Sequence, residues 1–143
     1  MADDCLFCRI VSGEVPAVIV YEDDRSVGFL DHRPLFQGHT LLVPREHVET
    51  LGELPVSQVG SFFETVQLLS RAVETGMDAE GTFVAMNNRV SQSVPHLHVH
   101  VVPRRKKDGL KGFFWPRTKY KNEEEMLAVK RSIAAAFESA KIN

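Results

Sequence analysis

Cysteines and long apolar runs are scarce in this chain of 143 residues, and each scarcity excludes a class of protein. Two cysteines, Cys5 and Cys8, are too few for the disulfide framework of a small secreted domain. No apolar run approaches the roughly 20 residues that a transmembrane helix needs. The acidic N-terminus lacks the apolar stretch of a signal peptide, so we expect a cytoplasmic protein without a membrane partner.

A strong net charge is absent as well. The formal net charge is −2, so no global field attracts the protein to nucleic acid, and we expect no nucleic-acid partner. A composition of 43% hydrophobic and 25% charged residues is typical of a soluble globular protein. The length is sufficient for one domain with a substantial core.

Periodicity and turn residues predict an α+β domain in which a long helix packs on one face of an antiparallel sheet. Apolar residues recur at helical spacing over residues 56–76, and Asn122 is a favourable N-cap for a last helix. The other predicted elements are a short helix at 4–12, strands at 18–21, 27–30, 40–43 and 82–87, and a strand beginning at residue 96.

That last strand contains the most informative pattern, because residues 96–100 read His-Leu-His-Val-His. Alternation with period two predicts that the aliphatic residues face a core and that the three histidines share the opposite face. A neutral imidazole is a competent nucleophile toward phosphorus or acyl centres, and His98 is the central candidate. The preceding loop contains Gln92 and Ser93, whose polar groups are suited to holding phosphate oxygens.

The two cysteines form a C-x-x-C pair, one turn apart on the predicted short helix. Two thiolates need two more ligands for a closed tetrahedral zinc site. His47 and His96 are the best candidates, although both are distant in sequence. A redox pair and two ordinary buried thiols are the alternatives.

Residues 96–102 match the pattern H-φ-H-φ-H-φ-φ, in which φ is an apolar residue. The chain resembles the histidine triad (HIT) family over about residues 5–104, and further blocks occur in the order found in that family. These blocks are CLFC at 5–8, YEDD at 21–24, FLD at 29–31, GHT at 38–40, PREHV at 44–48 and QSV at 92–94.

The resemblance implies a HIT-like α+β fold with a five-stranded antiparallel sheet and two main helices, assembled as a homodimer. We therefore expect one HIT domain over residues 1–143. Its core would span residues 5–104, and a C-terminal loop and helix would follow at 105–143.

The resemblance also implies a nucleotide hydrolase or transferase that acts on the α-phosphate of adenylylated compounds, with a purine nucleotide as substrate. His98 would attack the α-phosphorus and form a nucleotidyl-histidine intermediate, which water then hydrolyses. His100 would contact the phosphate. Gln92 and Ser93 would hold phosphate oxygens and help the leaving group depart.

Other positions match residues that bind the nucleotide or a metal in the family. Asp31 matches the residue that binds the ribose hydroxyls, with His32 beside it, and Asn87 or Asn88 would approach the nucleotide. A carboxylate at the end of an apolar strand suits two vicinal hydroxyls, although Asp31 also suits a simple turn. The resemblance implies a base pocket formed by Leu6, Phe7, Ile10, Phe29 and Leu30, and a structural zinc ion held by Cys5, Cys8, His47 and His96.

Several questions stay open at this point. The substrate is either a nucleoside phosphoramidate or a dinucleoside polyphosphate. A zinc-dependent hydrolase with the His-x-His pair as catalytic ligands and a non-catalytic nucleotide-binding module are the alternative functions. The basic run at 104–107 is either a solvated loop or a contact for extra phosphates. The aromatic run at 113–115 would pack the dimer or form a specificity loop.

Overall fold

The computed structural model describes residues 4–110 and 117–141, and five strands within them form one sheet. The sheet order is β1-β2-β3-β5-β4, and every neighbouring pair is antiparallel. The predicted α+β fold with a five-stranded antiparallel sheet and two main helices is confirmed. The elements are α1 Leu6–Val11, β1 Ile19–Glu22, β2 Ser26–Leu30, β3 Thr40–Pro44, α2 Val56–Gly76, β4 Gly81–Ala85, β5 Val99–Arg104 and α3 Glu123–Ala140.

One face of the sheet is covered by α2, which spans the residues that its apolar period predicts. The buried side chains of this layer come from α2, from β3, from β5 and from the loops beside them. Burial of this apolar surface is the main favourable contribution to folding. The fully or largely buried members are Leu42, Val48, Leu54, Phe62, Val66, Leu69, Val73, Leu97, Val99 and Val101.

The opposite face carries the short helix α1 and a second apolar cluster. Strand β3 contributes to both layers, because Leu42 belongs to the α2 side whereas Leu41 and Val43 belong to the α1 side. This alternation is the period-two pattern of a strand buried on both faces. Phe7 of α1 and Phe29 of β2 meet edge to face in this second cluster, with ring centroids 5.4 Å apart. The histidines lie on the same side of the sheet as this cluster.

The predicted start of the histidine strand is wrong, because β5 begins at Val99 and not at residue 96. The His96 amide turns back to the Val94 carbonyl at 2.8 Å, and the Leu97 amide donates to the Val48 carbonyl at 2.7 Å. The segment therefore pairs with the loop after β3 before it enters the sheet. Its side chains still alternate as predicted, since the aliphatic ones lie in the α2 core.

The described chain divides into two compact units between Asp108 and Gly109. In the second unit the Asn122 side chain accepts a hydrogen bond from the Glu125 amide at 2.8 Å, which confirms the predicted N-cap of α3. The helix exposes the face formed by Met126, Val129, Ile133 and Phe137. The aromatic run at 113–115 lies outside the described residues, and the domain boundaries of 1–143, 5–104 and 105–143 stay predictions. None of the helices described here is both long and apolar enough to cross a membrane.

We predict that Leu42→Ala strongly destabilises the protein. Leu42 is 0% exposed at the centre of the sheet, so its truncation leaves a cavity in the α2 core. We expect the free energy of unfolding in urea to fall by about 2–5 kcal/mol. Leu68→Ala is the matched control because Leu68 is 59% exposed on α2. Equal losses for the two variants would contradict this account of the core.

Candidate active site

Four side chains from three parts of the chain meet at the start of the histidine segment. Cys5 is the N-cap of α1, Cys8 lies one turn into that helix, and His47 follows β3. The Cys8 Sγ lies 3.2 Å from His47 Nδ1 and 3.4 Å from His96 Nδ1, and the Cys5 Sγ lies 3.5 Å from His96 Nδ1. All four ligand atoms lie within 4.8 Å of one another, so the group is able to hold a metal ion.

A backbone carbonyl prepares His96 for this cluster. The Pro44 carbonyl lies 2.8 Å from His96 Nε2 and accepts a hydrogen bond, so the ring proton is on Nε2. Nδ1 is therefore unprotonated and presents its lone pair to the two sulfur atoms. Burial lowers the pKa of His96, which also favours the neutral ring that a metal requires.

A backbone carbonyl also orients His98, in this case the carbonyl of His96. The His96 carbonyl accepts a hydrogen bond from His98 Nδ1–H at 2.7 Å, so Nε2 carries the free lone pair. The ring is 3% exposed, and its centroid lies 5.0 Å from that of Phe7. This arrangement holds one tautomer and one ring orientation, which a nucleophilic imidazole needs.

A fourth histidine, His39, contacts His100, although no role is predicted for it from the sequence. The Leu35 amide donates to His39 Nδ1 at 3.1 Å, so the proton of the neutral His39 ring is on Nε2. That proton is donated to His100 Nδ1 at 2.9 Å, which leaves His100 with a proton on Nε2. His39 comes just before the buried strand β3, and no local pattern shows that it lies beside a residue 61 positions away.

The pKa of His100 is lowered to about 4, mainly because the ring is buried. The nearby His98 and His39 lower this pKa further, whereas the Asp31 carboxylate raises it. Burial also lowers the pKa of His39. Both rings are therefore neutral at pH 7. His100 accordingly acts as a neutral hydrogen-bond donor through Nε2.

Asp31, His39 and His100 also bring three metal-ligating atoms within 4.8 Å of one another. A metal at His39 Nε2 would displace the proton that this nitrogen donates to His100. That proton has no place on Nδ1, because Nδ1 already accepts from the Leu35 amide. The tautomer of His39 therefore favours a hydrogen-bonded relay over a metal site at these three residues.

His98 and His100 open into a cavity of about 650 Å³ on the α1 side of the sheet. Ten of the predicted site residues line it. Five of these side chains are apolar, as a base pocket requires, and the others offer a carboxylate, a hydroxyl and three imidazoles. The ten residues are Leu6, Phe7, Ile10, Phe29, Leu30, Asp31, His32, Ser93, His98 and His100.

Three of the predicted catalytic and nucleotide-binding residues are not among those that line this cavity. Gln92 uses both ends of its amide elsewhere, since it accepts from the Arg89 amide at 2.7 Å and donates to the Glu49 carbonyl at 2.6 Å. Asn88 accepts from the Leu51 amide at 2.8 Å, and Asn87 donates to the Ser91 carbonyl at 3.1 Å. These side chains fix the shape of the loop, and their contacts with a nucleotide stay predictions.

The basic run at 104–107 forms a turn with its own partners. Arg104 pairs with Asp108 at 2.6 Å, and the Lys106 amide donates to Glu80 at 3.0 Å. The Arg105 guanidinium contacts the Met77 carbonyl. These contacts favour the solvated-loop interpretation over a contact with extra phosphates.

A model of the HIT domain family matches residues 12–107 of the chain. The chain belongs to the histidine triad family. The relative Adenylylsulfatase HINT3 of Arabidopsis thaliana is 38% identical over 112 residues, which cover 77% of this chain and 57% of the plant protein. The chain thus spans somewhat more than half the length of that relative.

Solved structures of histidine triad proteins share the fold. The crystal structure of a HIT family member from Bacillus subtilis is similar to this structure, with a TM-score of 0.83 and 35% sequence identity. The match covers 92% of this chain and 96% of the Bacillus subtilis chain. A zinc-bound histidine triad family protein from Mycobacterium smegmatis is also similar, with a TM-score of 0.72 and 37% sequence identity. The match covers 98% of this chain and 99% of the Mycobacterium smegmatis chain.

We predict that the His100 ring of this histidine triad protein stays neutral until the pH falls to about 4. Nitrogen NMR of the imidazole should show the proton on Nε2 at pH 7. The midpoint of the titration should lie near pH 4, at about the lowered pKa. The same ring in the unfolded chain takes up its proton near pH 6.5. Between these values the unfolded state binds more protons, so this ring makes the free energy of unfolding fall as the pH falls through that window. A midpoint near pH 6.5 in the folded protein would contradict the prediction.

Proposed function

We propose that this protein is a nucleotidyl hydrolase that acts on the α-phosphate of adenylylated compounds through a covalent intermediate on His98. The observation that carries the proposal is the fixed tautomer of His98. Its Nδ1–H is donated to the His96 carbonyl at 2.7 Å, and its ring lines a cavity of nucleotide size. An imidazole held in this way has an available nucleophilic nitrogen and a stabilised conjugate acid.

In the first step, the Nε2 lone pair of His98 attacks the α-phosphorus. The bond between phosphorus and the leaving group breaks, and the leaving group keeps the electron pair. We assign the proton that the leaving group takes up to the Ser93 hydroxyl, because this side chain lines the same cavity. The positive charge of the substituted ring is stabilised by the hydrogen bond from Nδ1 to the His96 carbonyl.

In the second step, water attacks the same phosphorus and gives a proton to the Ser93 oxygen, which restores the hydroxyl, and the bond from phosphorus to Nε2 breaks. The electron pair returns to the imidazole, and a nucleoside monophosphate leaves. The neutral His100 donates its Nε2–H to a phosphate oxygen in both steps, since the relay through His39 keeps Nδ1 as an acceptor. A donor aimed at the oxygen on which charge develops stabilises the transition state.

The nucleotide is assigned to the rest of the cavity. Phe7, Phe29 and the aliphatic residues around them offer an apolar surface for a purine base, and Asp31 accepts from the ribose hydroxyls. Nucleoside phosphoramidates, dinucleoside polyphosphates and adenylyl sulfate share the adenylyl group that this arrangement recognises. The name of the Arabidopsis relative supports the last of these.

We assign a structural zinc ion to Cys5, Cys8, His47 and His96. A tetrahedral zinc ion holds sulfur at about 2.3 Å and nitrogen at about 2.0–2.1 Å, which separates a sulfur from a nitrogen ligand by about 3.5 Å. The distances of 3.2, 3.4 and 3.5 Å in this cluster agree with that spacing. The zinc-bound relative supports the same assignment. The homodimer and the cytoplasmic location stay predictions.

We predict that His98→Asn abolishes turnover without unfolding the protein. The asparagine amide is able to replace Nδ1–H as the donor to the His96 carbonyl, but it has no nucleophilic nitrogen. We expect kcat to fall roughly 10³–10⁶-fold, with an unchanged Tm. Mass spectrometry of a quenched reaction should show a nucleotidyl adduct on His98 of the unaltered protein. Metal-dependent turnover without an adduct would favour the zinc-dependent hydrolase instead.

We predict that the purified protein contains one zinc ion per chain and that Cys8→Ser loses it. Removal of a structural metal takes away binding energy that contributes to folding, so Tm should fall by about 5 °C or more. Elemental analysis and thermal unfolding measure both quantities. Ser12→Ala, at the exposed end of the same helix, is the control. A metal-free protein whose Tm does not change with a chelator would contradict the assignment.

A further inference from the structure

The loop between β4 and the histidine segment holds two residues in an unusual backbone conformation. Arg89 has a φ of 71° and Ser91 a φ of 59°. This left-handed region favours glycine, and an ordinary side chain there costs free energy. A strained backbone conformation persists only where contacts with the surrounding structure stabilise it, and such conformations are concentrated at functional sites.

Hydrogen bonds attach this loop to the segment that follows His47. Asn88 accepts from the Leu51 amide at 2.8 Å, and Gln92 donates to the Glu49 carbonyl at 2.6 Å. The other end of the Gln92 amide accepts from the Arg89 backbone amide at 2.7 Å. Arg89 is therefore held beside Gln92, whose neighbour Ser93 lines the catalytic cavity.

The charged end of Arg89 is accessible to a ligand. Its side chain is 68% exposed, and its guanidinium lies 3.4 Å from a Glu53 oxygen. The other carboxylate oxygen of Glu53 accepts from the Glu49 and Thr50 amides, so Glu53 has a separate role in closing its own turn. An exposed ion pair of this length contributes little free energy, so it does little to withhold the guanidinium from an anionic ligand.

We propose that Arg89 is a specificity-determining residue that binds an anionic leaving group. The inference rests on the proposed function, in which the leaving group departs beside Ser93. A guanidinium binds the oxygens of sulfate or phosphate through two parallel hydrogen bonds. An uncharged leaving group such as ammonia offers no such oxygens. Arg89 therefore increases the selectivity for adenylyl sulfate or a polyphosphate over an adenosine phosphoramidate.

The test compares Arg89→Gly with Ser91→Gly in the full chain. Both substitutions place glycine at a positive φ in the same loop, but only the first removes a charge. We measure kcat/KM for adenylyl sulfate and for adenosine 5′-phosphoramidate, and we measure Tm as the check on folding. Arg89→Gly should lower kcat/KM for adenylyl sulfate about tenfold or more and change that for the phosphoramidate less than about twofold. Ser91→Gly should leave both values within about twofold.

If Arg89→Gly lowers kcat/KM equally for both substrates, or lowers it for neither, the proposed role of Arg89 is wrong. A similar loss of selectivity in Ser91→Gly would also overturn it, because backbone strain would then be the cause. The proposed function fails in a different way, namely when the unaltered protein turns over neither substrate and forms no adduct on His98. In that case the inference fails with it.

Discussion

Backbone carbonyl groups determine which nitrogen of each central histidine carries the proton, and the chemistry of the site depends on this constraint. The Pro44 carbonyl holds the proton of His96 on Nε2, and the His96 carbonyl holds that of His98 on Nδ1. A carbonyl only accepts hydrogen bonds, so neither ring has a choice of tautomer. Consecutive triad histidines therefore present opposite nitrogens, one toward the two cysteines and the other toward the cavity. A metal cluster and the nucleophile that we propose at His98 are thus compatible within three residues.

His96 connects the two sites because its ring belongs to the cysteine cluster and its carbonyl orients His98. A displacement of the His96 ring moves its own backbone, and the acceptor for His98 moves with it. A metal at the cluster would accordingly influence the orientation of the His98 ring without contacting it. The tautomer of His100 is also determined by a neighbour. His39 donates to its Nδ1, and the tautomer of His39 is in turn determined by the Leu35 amide.

The elements of the fold follow from the sequence because their signals are local. The helix at 56–76 has an apolar stripe, and the cap of α3 is a single asparagine followed by glutamates. The alternation in residues 96–100 correctly separates core residues from the histidines. The start of β5 is not local, since the hydrogen bond between Leu97 and Val48 forms only when the loop after β3 is in place.

The residues of the candidate site were predictable where the sequence motifs of the chain resemble those of a known family. The resemblance names the four residues of the cysteine cluster, and the structure brings them together. It does not give the direction of the Gln92 amide, because that depends on which carbonyl and amide of other segments lie within reach. His39 was missed for the same reason, since its contact with His100 joins positions that only the antiparallel pairing of β3 with β5 brings together.

The two faces of the sheet differ in how much their burial contributes to stability. The α2 face buries aliphatic and aromatic side chains, whereas the α1 face also buries His39, His96 and His98. A buried imidazole needs a hydrogen-bond partner for each nitrogen that does not reach solvent or a ligand. Backbone groups supply one partner for each of these rings, and His100 supplies the partner of His39 Nε2. Pro44 ends strand β3, and Leu97, which follows the His96 carbonyl, is buried in the α2 core, so the apolar layer holds the two carbonyls that orient the histidines. The stability of one face is therefore a condition for the chemistry of the other.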